Sequence, residues 1–188
     1  MHKNTDESLV PDYTLPDVLT SINGEKISTA FDWVHTRRPE LLQLFKNEMY
    51  GSLPPRPAIS EFETLSVKND ALNNTAIRKE IKLSFSMPDG RKHSFVMLLY
   101  IPQNAEKPVP VFLGLNFKGN HNCTTEKDVI PSGYLRNGEL AENKRSSQPE
   151  RWLFEETVKL GFASATVCYH DIYPDDPAPD SWRKSIYY

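Results

Sequence analysis

The segment between residues 111 and 168 constrains the fold most, because it alternates strand, helix and strand. The apolar run Val111–Phe117 predicts a buried strand. A fifteen-residue helical pattern, QPERWLFEETVKLGF, follows with Pro149 near its start and Gly161 near its end. The run ASATVC then predicts a second buried strand. Because a strand–helix–strand unit joins parallel strands through a crossover, the sequence predicts an α/β fold.

The residues before this unit predict a helix and a hairpin. The segment RRPELLQLFKNEMYG has Pro39 at its start and Gly51 at its end, as expected of a helix. Its predicted buried stripe consists of Leu41, Leu42, Phe45, Met49 and Tyr50. Residues 59–101 predict β-structure, in which AIRKEIKLSFSM and HSFVMLLYIP form a hairpin around a turn at 88–90. Residues 1–30 lack sustained periodicity and are interpreted as an extended arm with a tight turn at Asn23-Gly24.

Composition excludes several classes of protein. Charged residues make up 25% of the 188 residues and hydrophobic residues 38%, which is typical of a folded globular chain. No apolar run approaches the ~20 residues that a membrane span requires, so we expect no membrane partner. The net charge is −3 without a large Lys/Arg cluster, so we expect no nucleic-acid partner. Met1-His2-Lys3 is not followed by an apolar stretch, and no signal peptide is expected in the chain as written.

Polar residues follow both strands of the parallel unit. The first loop consists of Asn116, Phe117, Lys118, Gly119, Asn120 and His121. The second loop contains His170, Asp171 and Asp175. Ligands of open α/β sheets bind beyond the carboxyl ends of the strands, so both loops are predicted to border one crevice. Two alternatives stay open: Gly119 could serve only the turn, with Lys118 and His121 solvated, and the two aspartates could only cap a helix or hold the loops.

The sequence favours neither a metal site nor a complete catalytic site. His121 and Cys123, like Cys168 and His170, are two residues apart, and neither spacing matches common zinc-ligand patterns. We therefore expect no metal and no cofactor. No G-x-S-x-G nucleophile elbow occurs, and no glycine follows Gly161. A Ser-His-Asp mechanism cannot be assembled from these residues, so no catalytic residue is assigned.

The order of four segments resembles the bacterial glucuronoyl esterases (4-O-methyl-glucuronoyl methylesterases), a carbohydrate esterase family with the α/β-hydrolase fold. These segments are DESLVPDYTLPDVL, WVHTRRPELLQLFKNEMYGSLPPRP, VPVFLGLNFKGNH and RWLFEETVKLGFASATVCYHDIYPD. The family shows a YTLPDPL-like arm, an RRPE-led helix ending in YG, an LNFKGNH-like loop and a GDIDPD-like turn. In this chain His170 replaces the glycine of that turn, so the shape of the second loop differs from the family pattern.

The resemblance implies the N-terminal part of an α/β-hydrolase sandwich, with a mixed, mainly parallel sheet and flanking helices. It divides the chain into an arm over residues 1–30 and a partial hydrolase domain over residues 31–188. The family's catalytic serine, acid and histidine would follow Tyr188, so the chain alone is expected to be inactive. In the whole protein, the resemblance implies a serine esterase acting on plant cell-wall glucuronoxylan, exported to the periplasm or the cell exterior. Residues 116–119 match the loop that supplies an oxyanion-hole donor.

Two other functions remain open at this stage. The chain could act as a non-catalytic binding or interaction module, or belong to an acetyl xylan esterase-like hydrolase. The α/β-hydrolase strand order also pairs the nucleophile strand with Val111–Phe117, a partner that this chain does not contain. We therefore expect an exposed strand edge through which the chain can associate with itself.

Overall fold

The computed structural model describes residues 5–53, 60–87, 90–133, 145–175 and 177–185. It groups the chain into two compact units, residues 1–54 and residues 55–188. Short 3₁₀-helices at Glu7–Leu9, Asn120–Asn122, Pro149–Arg151 and Ser181–Lys184 accompany the helices and strands given below. Within these described ranges, no helix combines the length and the apolar character needed to cross a bilayer.

The first unit contains one helical run from residue 30 to residue 50. Helix α1 (Ala30–Asp32) and helix α2 (Arg38–Phe45) are joined by a π-helical segment, Trp33–Arg37, and a second such segment, Lys46–Tyr50, follows. A capping box between Thr29 and Asp32 begins the run. Gly51, at φ +72°, ends it. The predicted helix is confirmed, and the sequence Phe31-Asp32-Trp33, which can begin an earlier helical turn, lies at the start of the run.

The predicted buried stripe on this helix is wrong at four of its five positions, and Leu41 is partly buried. Leu42 is 46% exposed, Phe45 48%, Met49 67% and Tyr50 75%. Apolar periodicity shows which face of a helix would be stabilised by burial. It does not show that another part of the chain packs against that face. The tight turn at Asn23-Gly24 is confirmed, since Gly24 N–H donates to the Ser21 carbonyl at 3.0 Å and a β-bridge joins Thr20 to Lys26.

The second unit contains a five-stranded sheet. Its strands are β1 (Ser60–Asp70), β2 (Ala76–Ser86), β3 (Lys92–Pro102), β4 (Val111–Asn116) and β5 (Ala163–Cys168). They lie in the order β1-β2-β3-β5-β4. The helical segments of this unit are α3 (Ala71–Asn74), α4 (Phe154–Lys159) and α5 (Tyr169–Ile172). Residues Leu72 and Asn73 of α3 have left-handed backbone angles, so this segment is a reversed turn between β1 and β2.

The pairing of the strands makes the sheet mixed, as predicted. Strands β2 and β3 form the predicted hairpin, antiparallel from Ala76↔Pro102 to Ser86↔Lys92, although Pro88 and Asp89 of its turn lie outside the described residues. Strands β4 and β5 are parallel and in register, joined through α4. The expected predominance of parallel pairing does not hold in this part of the fold. Short connections join β1, β2 and β3, and such connections permit only antiparallel neighbours.

Burial at β4 differs from the buried strand that its apolar residues predict, and it agrees with the exposed edge that the resemblance predicts. Every residue of β5 is buried, because this strand has a neighbour on each side. In β4, by contrast, Val111 is 53% exposed, Phe112 62%, Leu113 63% and Leu115 50%. Among the described residues β4 has a partner only on its β5 side, so it forms an exposed edge. The apolar sequence of β4 indicates that it can be covered, not that it is covered here.

The helix of the parallel unit is shorter than predicted. The sequence pattern predicts an apolar face that includes Trp152, Leu153, Val158 and Leu160. Val158 is buried and Trp152 packs against the core, but Leu153 is 53% exposed and Leu160 76%. Leu153 has a left-handed backbone angle, φ 44°, which interrupts the helical pattern before α4 begins at Phe154. Phe154 and Val158 are the α4 residues that enter the hydrophobic core. After the break at Leu153, Phe154 takes a place in the core that the pattern predicted for its neighbour, while Val158 is buried as predicted.

Candidate functional site

Asn116 is the centre of the first loop. It is the last residue of β4 and is 4% exposed. Its side-chain oxygen accepts a hydrogen bond from the backbone N–H of Gly119 at 2.8 Å. Its side-chain amide donates to Asn120 Oδ1 at 2.9 Å and to Thr166 Oγ1, on β5, at 3.0 Å. One buried amide thus fixes both ends of the turn to the neighbouring strand, as a fully satisfied buried polar group should.

Gly119 has a conformation and a packing that only glycine permits. Its φ is +90°, a backbone region that costs energy for other residues. A Cβ atom at this position would lie 2.0 Å from the Ser132 carbonyl oxygen and 2.6 Å from His121 Cε1. The glycine is therefore required both for the turn and for the close approach of residues 132–133. Two interpretations were left open for Gly119. The structure directly shows the one in which the turn itself requires a glycine.

Asn120 and His121 point inward rather than towards solvent. Both are fully buried. The Asn120 side-chain amide donates to the Val96 carbonyl at 2.9 Å, and its backbone N–H donates to Ser132 Oγ at 2.8 Å. His121 Nδ1 accepts from the Ser132 N–H at 3.3 Å. These two side chains hold the loop in place. The alternative in which His121 is solvated is wrong, because residues 132–133 close over it.

Phe117 and Lys118 form the exposed part of the first loop. Phe117 is 63% exposed and Lys118 is also exposed. The Lys118 carbonyl accepts a hydrogen bond from the Asn122 side-chain amide. No acceptor within the described ranges is bonded to the backbone N–H of Lys118. A fixed, unengaged N–H at the end of a parallel strand is the type of donor that stabilises a developing oxyanion.

The second loop lies against the first at the same end of the parallel strands. The ring centroids of Phe117 and His170 are 6.2 Å apart. The Asp171 carboxylate accepts from the Gly133 N–H, at 3.1 Å and 3.2 Å to its two oxygens, and Gly133 packs against Gly119. His93 Nε2 donates to the Asp171 carbonyl at 2.6 Å. Asp175 is exposed. The structure therefore brings together Phe117, His170 and Asp171, and it leaves Asp175 in solvent.

Asp171 is a partly buried carboxyl group with a shifted pKa. Burial raises its pKa from 3.8 to about 6, while the Gly133 N–H and His170 oppose the shift. The folded state therefore binds a proton that the unfolded state releases at lower pH. The stability associated with this group is fully present below pH 3.8 and is lost as the pH rises towards 6.

We expect Asp171→Asn to be more stable than the parent chain at pH 7. The asparagine oxygen can still accept from Gly133, and the substitution removes a charge whose burial costs at most about 3 kcal/mol. Urea unfolding at pH 4, 5, 6 and 7 measures the difference, which should grow across this interval. Asp175→Asn, on an exposed carboxyl group, is the matched control. A variant that is less stable than the parent at pH 7 would contradict the prediction.

The two cysteines are buried thiols beside the site. Both are free, and Cys123 is 2% exposed and Cys168 fully buried. Burial raises the pKa of Cys123 to about 12 and that of Cys168 to about 11, with the nearby Asp171 carboxylate contributing at Cys168. The thiolate is the form that attacks substrates and binds metals. Both residues are therefore packing groups in this structure.

A buried charge cluster, which sequence reasoning missed, anchors residues 124–130 next to the first loop. Arg78 is 2% exposed and bonds Asp128 through two contacts, at 2.9 Å and 2.8 Å, and Glu126 at 3.0 Å. Glu80, fully buried, accepts from the Ile130 N–H at 2.6 Å. Tyr100 donates to Glu126 at 2.9 Å. The cluster fixes the chain that leads from the first loop to Ser132.

The alternation of residues along β2 did not indicate this cluster. Ile77, Lys79 and Ile81 alternate with Arg78 and Glu80 on β2, a period that predicts a half-buried strand with the isoleucines on its buried face. In the structure the positions Ala76, Arg78 and Glu80 are the buried ones. Their burial depends on acidic partners about fifty residues further along the chain, which strand periodicity does not register.

Comparison with known proteins identifies relatives of this fold and sequence. No family model matches the chain. The carbohydrate esterase MZ0003, from an unknown prokaryotic organism, is 36% identical over 195 residues, which are 98% of this chain and 44% of that protein. A glucuronoyl esterase from Solibacter usitatus is 36% identical with a TM-score of 0.82, covering 96% of this chain and 46% of that chain.

A third relative extends the comparison to another source. A promiscuous CE15 esterase from the marine bacterial metagenome is 35% identical with a TM-score of 0.78, over 94% of this chain and 46% of that chain. The chain therefore spans about half the length of the relatives it matches. Its mixed sheet with flanking helices agrees with the α/β-hydrolase fold of these esterases. In sequence and in fold, this chain is similar to the CE15 glucuronoyl esterases over about half of their length.

Proposed function

We propose that the whole protein hydrolyses carboxylic esters of plant cell-wall glucuronoxylan, and that this chain supplies the oxyanion loop of the active site. The observation that carries the proposal is the unengaged N–H of Lys118, held at the end of β4 by the Asn116 amide. A preorganised N–H of this kind stabilises the negative charge that develops on a carbonyl oxygen during acyl transfer. A serine, an acid and a histidine from outside residues 1–188 would complete the mechanism.

The rest of the loop supports this role by its rigidity. Neighbouring N–H groups, those of Gly119 and Asn120, are already bonded to Asn116 and Ser132. A substrate oxygen would therefore meet one donor in a fixed position, without reorganisation of the loop. Asp171, at the end of β5, holds Gly133 against this loop and acts as a positioning residue in the proposal.

The proposal extends to location and association. By resemblance to exported carbohydrate esterases, we propose a periplasmic or extracellular location. We also propose that the exposed edge of β4 mediates self-association of the isolated chain, because its apolar residues lack cover on that side.

Asn116→Ala provides the test of the proposed function. In the protein encoded by the whole gene, we expect hydrolysis of a glucuronate benzyl ester and a loss of about 10²-fold in kcat in the variant, since the loop loses its central support. Asn104→Ala, an exposed asparagine at the other end of the parallel strands, is the control and should retain activity. A folded whole protein inactive on this ester would favour a binding module. Preference for acetylated xylan would favour the acetyl esterase alternative.

A further inference from the structure

The peptide unit between Lys118 and Gly119 is bonded at both of its polar ends to buried side-chain amides. Its N–H donates to Asn116 Oδ1 at 2.8 Å, and its carbonyl oxygen accepts from Asn122 Nδ2 at 2.5 Å. Asn116 is 4% exposed and Asn122 is 2% exposed. The two amides therefore fix the direction in which this one peptide unit points. We refer to Asn116 and Asn122 as the amide clamp.

This peptide unit requires such support because a glycine follows it. Glycine adopts positive and negative φ angles almost equally well, so the peptide unit before a glycine can rotate by about 180° at little cost. The rotation exchanges the positions of the carbonyl oxygen and the N–H. A turn with Gly119 at φ +90° therefore has two orientations of this unit available to it, and only one of them occurs in the structure.

The amide clamp favours that one orientation, because each of its members presents a defined group. The side-chain nitrogen of Asn116 is bonded to two other side chains, so its oxygen must face the Gly119 N–H. Turning the Asn122 amide around would bring two oxygens within 2.5 Å of each other at the Lys118 carbonyl. Asn122 therefore faces the peptide unit with its nitrogen, which only the observed orientation can use.

The backbone of Asn122 is itself anchored. Its N–H donates to the Gly119 carbonyl at 3.0 Å, and its carbonyl accepts from the Gln148 N–H at 3.0 Å. Within the described ranges the side-chain oxygen has no hydrogen-bond partner, a condition that destabilises a buried amide. The side-chain nitrogen lies close to the Lys118 carbonyl oxygen and 3.1 Å from His121 Nε2. The contacts of this nitrogen are therefore what an asparagine supplies at this position.

We propose that Asn122 is a positioning residue of the ester hydrolysis, which holds the Lys118–Gly119 peptide unit in one orientation and thereby fixes the Lys118 N–H. The inference rests on the proposed function, which assigns that N–H to the developing oxyanion. The Lys118 N–H belongs to the peptide unit directly before the clamped one, between it and the end of β4 at Asn116. Without Asn122 the rotation becomes free, and fewer molecules hold the donor where the transition state needs it.

Replacing Asn122 in the protein encoded by the whole gene tests this role. In Asn122→Asp, the carboxylate repels the Lys118 carbonyl oxygen and attracts the N–H that a rotated peptide unit presents. With a glucuronate benzyl ester, we expect kcat to fall about 10²-fold and KM to change less than about twofold, because the donor acts on the transition state. Asn122→Ala removes the donor without adding a charge and should lower kcat about tenfold. If the charged variant does not fold, Asn122→Ala decides the question.

NMR of the 188-residue chain gives a readout that does not depend on activity. The ¹³C shift of the Lys118 carbonyl and the hydrogen exchange of the Gly119 amide report the orientation of the peptide unit. At pH 8 both should differ between Asn122→Asp and the parent. Protonation of the introduced carboxyl group returns an O–H donor to the Lys118 carbonyl, and burial favours that protonation. Both signals should therefore return towards the parental values as the pH is lowered to 5.

Asn104→Asp is the matched control, because it adds the same charge at an exposed asparagine. It should leave kcat, KM and both NMR signals unchanged. Parental kcat in both Asn122 variants, a rise in KM without a loss in kcat, or NMR signals unchanged at pH 8 would overturn the proposal. If the parent whole protein does not hydrolyse the ester, the proposed function fails. In that case the NMR signals still decide whether Asn122 controls the peptide unit.

Discussion

Replacing Gly119 by alanine is expected to destabilise the unit formed by residues 55–188 by more than about 3 kcal/mol. Two causes act together. A φ of +90° is unfavourable for alanine, and the new Cβ would lie 2.0 Å from a backbone oxygen of Ser132. That oxygen belongs to a segment tied to Asn120 and His121 by hydrogen bonds, so it cannot move without breaking them. Urea unfolding followed by circular dichroism measures the loss.

Gly161→Ala separates the two causes in this experiment. Gly161 has a similar angle, φ +86°, but no atom lies within 4 Å of the position that its Cβ would occupy. This control should lose only the conformational contribution, about 1 kcal/mol. Equal losses in the two variants would show that the contact with Ser132 carries no energy, and that the packing described for the first loop is wrong.

Replacing Arg78 by methionine is expected to lower the free energy of unfolding by about 3–5 kcal/mol. The substitution leaves Glu80, fully buried, and Glu126 without the guanidinium that compensates their charges. Residues 124–130 should lose their attachment to β2. Urea unfolding measures the global effect, and hydrogen exchange at the Ile130 amide, bonded to Glu80, measures the local one.

A triple variant distinguishes a charge effect from a packing effect. Glu80→Gln and Glu126→Gln, added to Arg78→Met, remove the carboxylates that the single variant leaves without a positively charged partner. Stability should then recover by at least about 1 kcal/mol, because neutral buried amides cost less than unpaired charges. A triple variant no more stable than the single one would contradict the electrostatic explanation. Arg78→Lys retains the charge but loses the two-pronged contact with Asp128, and should fall between parent and Arg78→Met.

Local sequence patterns predicted the elements of the fold, and they failed where burial depends on distant segments. The hairpin of β2 and β3 and the parallel unit of β4 and β5 followed from periodicity and turn residues. The exposure of the predicted stripe on the first helical run did not, because an apolar pattern is the same whether or not a covering element is present. The exposed edge of β4 was expected only from the family resemblance, since its apolar residues alone predict a buried strand. The break in the helix at Leu153 was not predictable from the sequence either, since leucine favours helical structure.

The candidate site was predictable in position but not in the roles of its residues. Parallel strands end at the same edge, so the proximity of Phe117 and His170 followed from strand order. Asn116, Asn120 and His121 were expected at a surface, yet they form a buried support. Their partners, Ser132 and Thr166, lie 11 to 50 residues away in the chain. Hydrogen bonds of this range cannot be inferred from a single sequence without the tertiary structure.

The order of the strands has a consequence for the time course of folding. In the chain β4 precedes β5, but in the sheet β5 lies between β3 and β4. Strands β1 to β3 can pair with their neighbours as soon as they leave the ribosome, since short connections join them. Strand β4 must wait until residues 163–168 are synthesised and have docked on β3 through pairs such as Tyr100↔Ser164. During that interval an apolar segment lacks a partner, so Val111–Leu115 is the part of the nascent chain that we expect a chaperone to bind first.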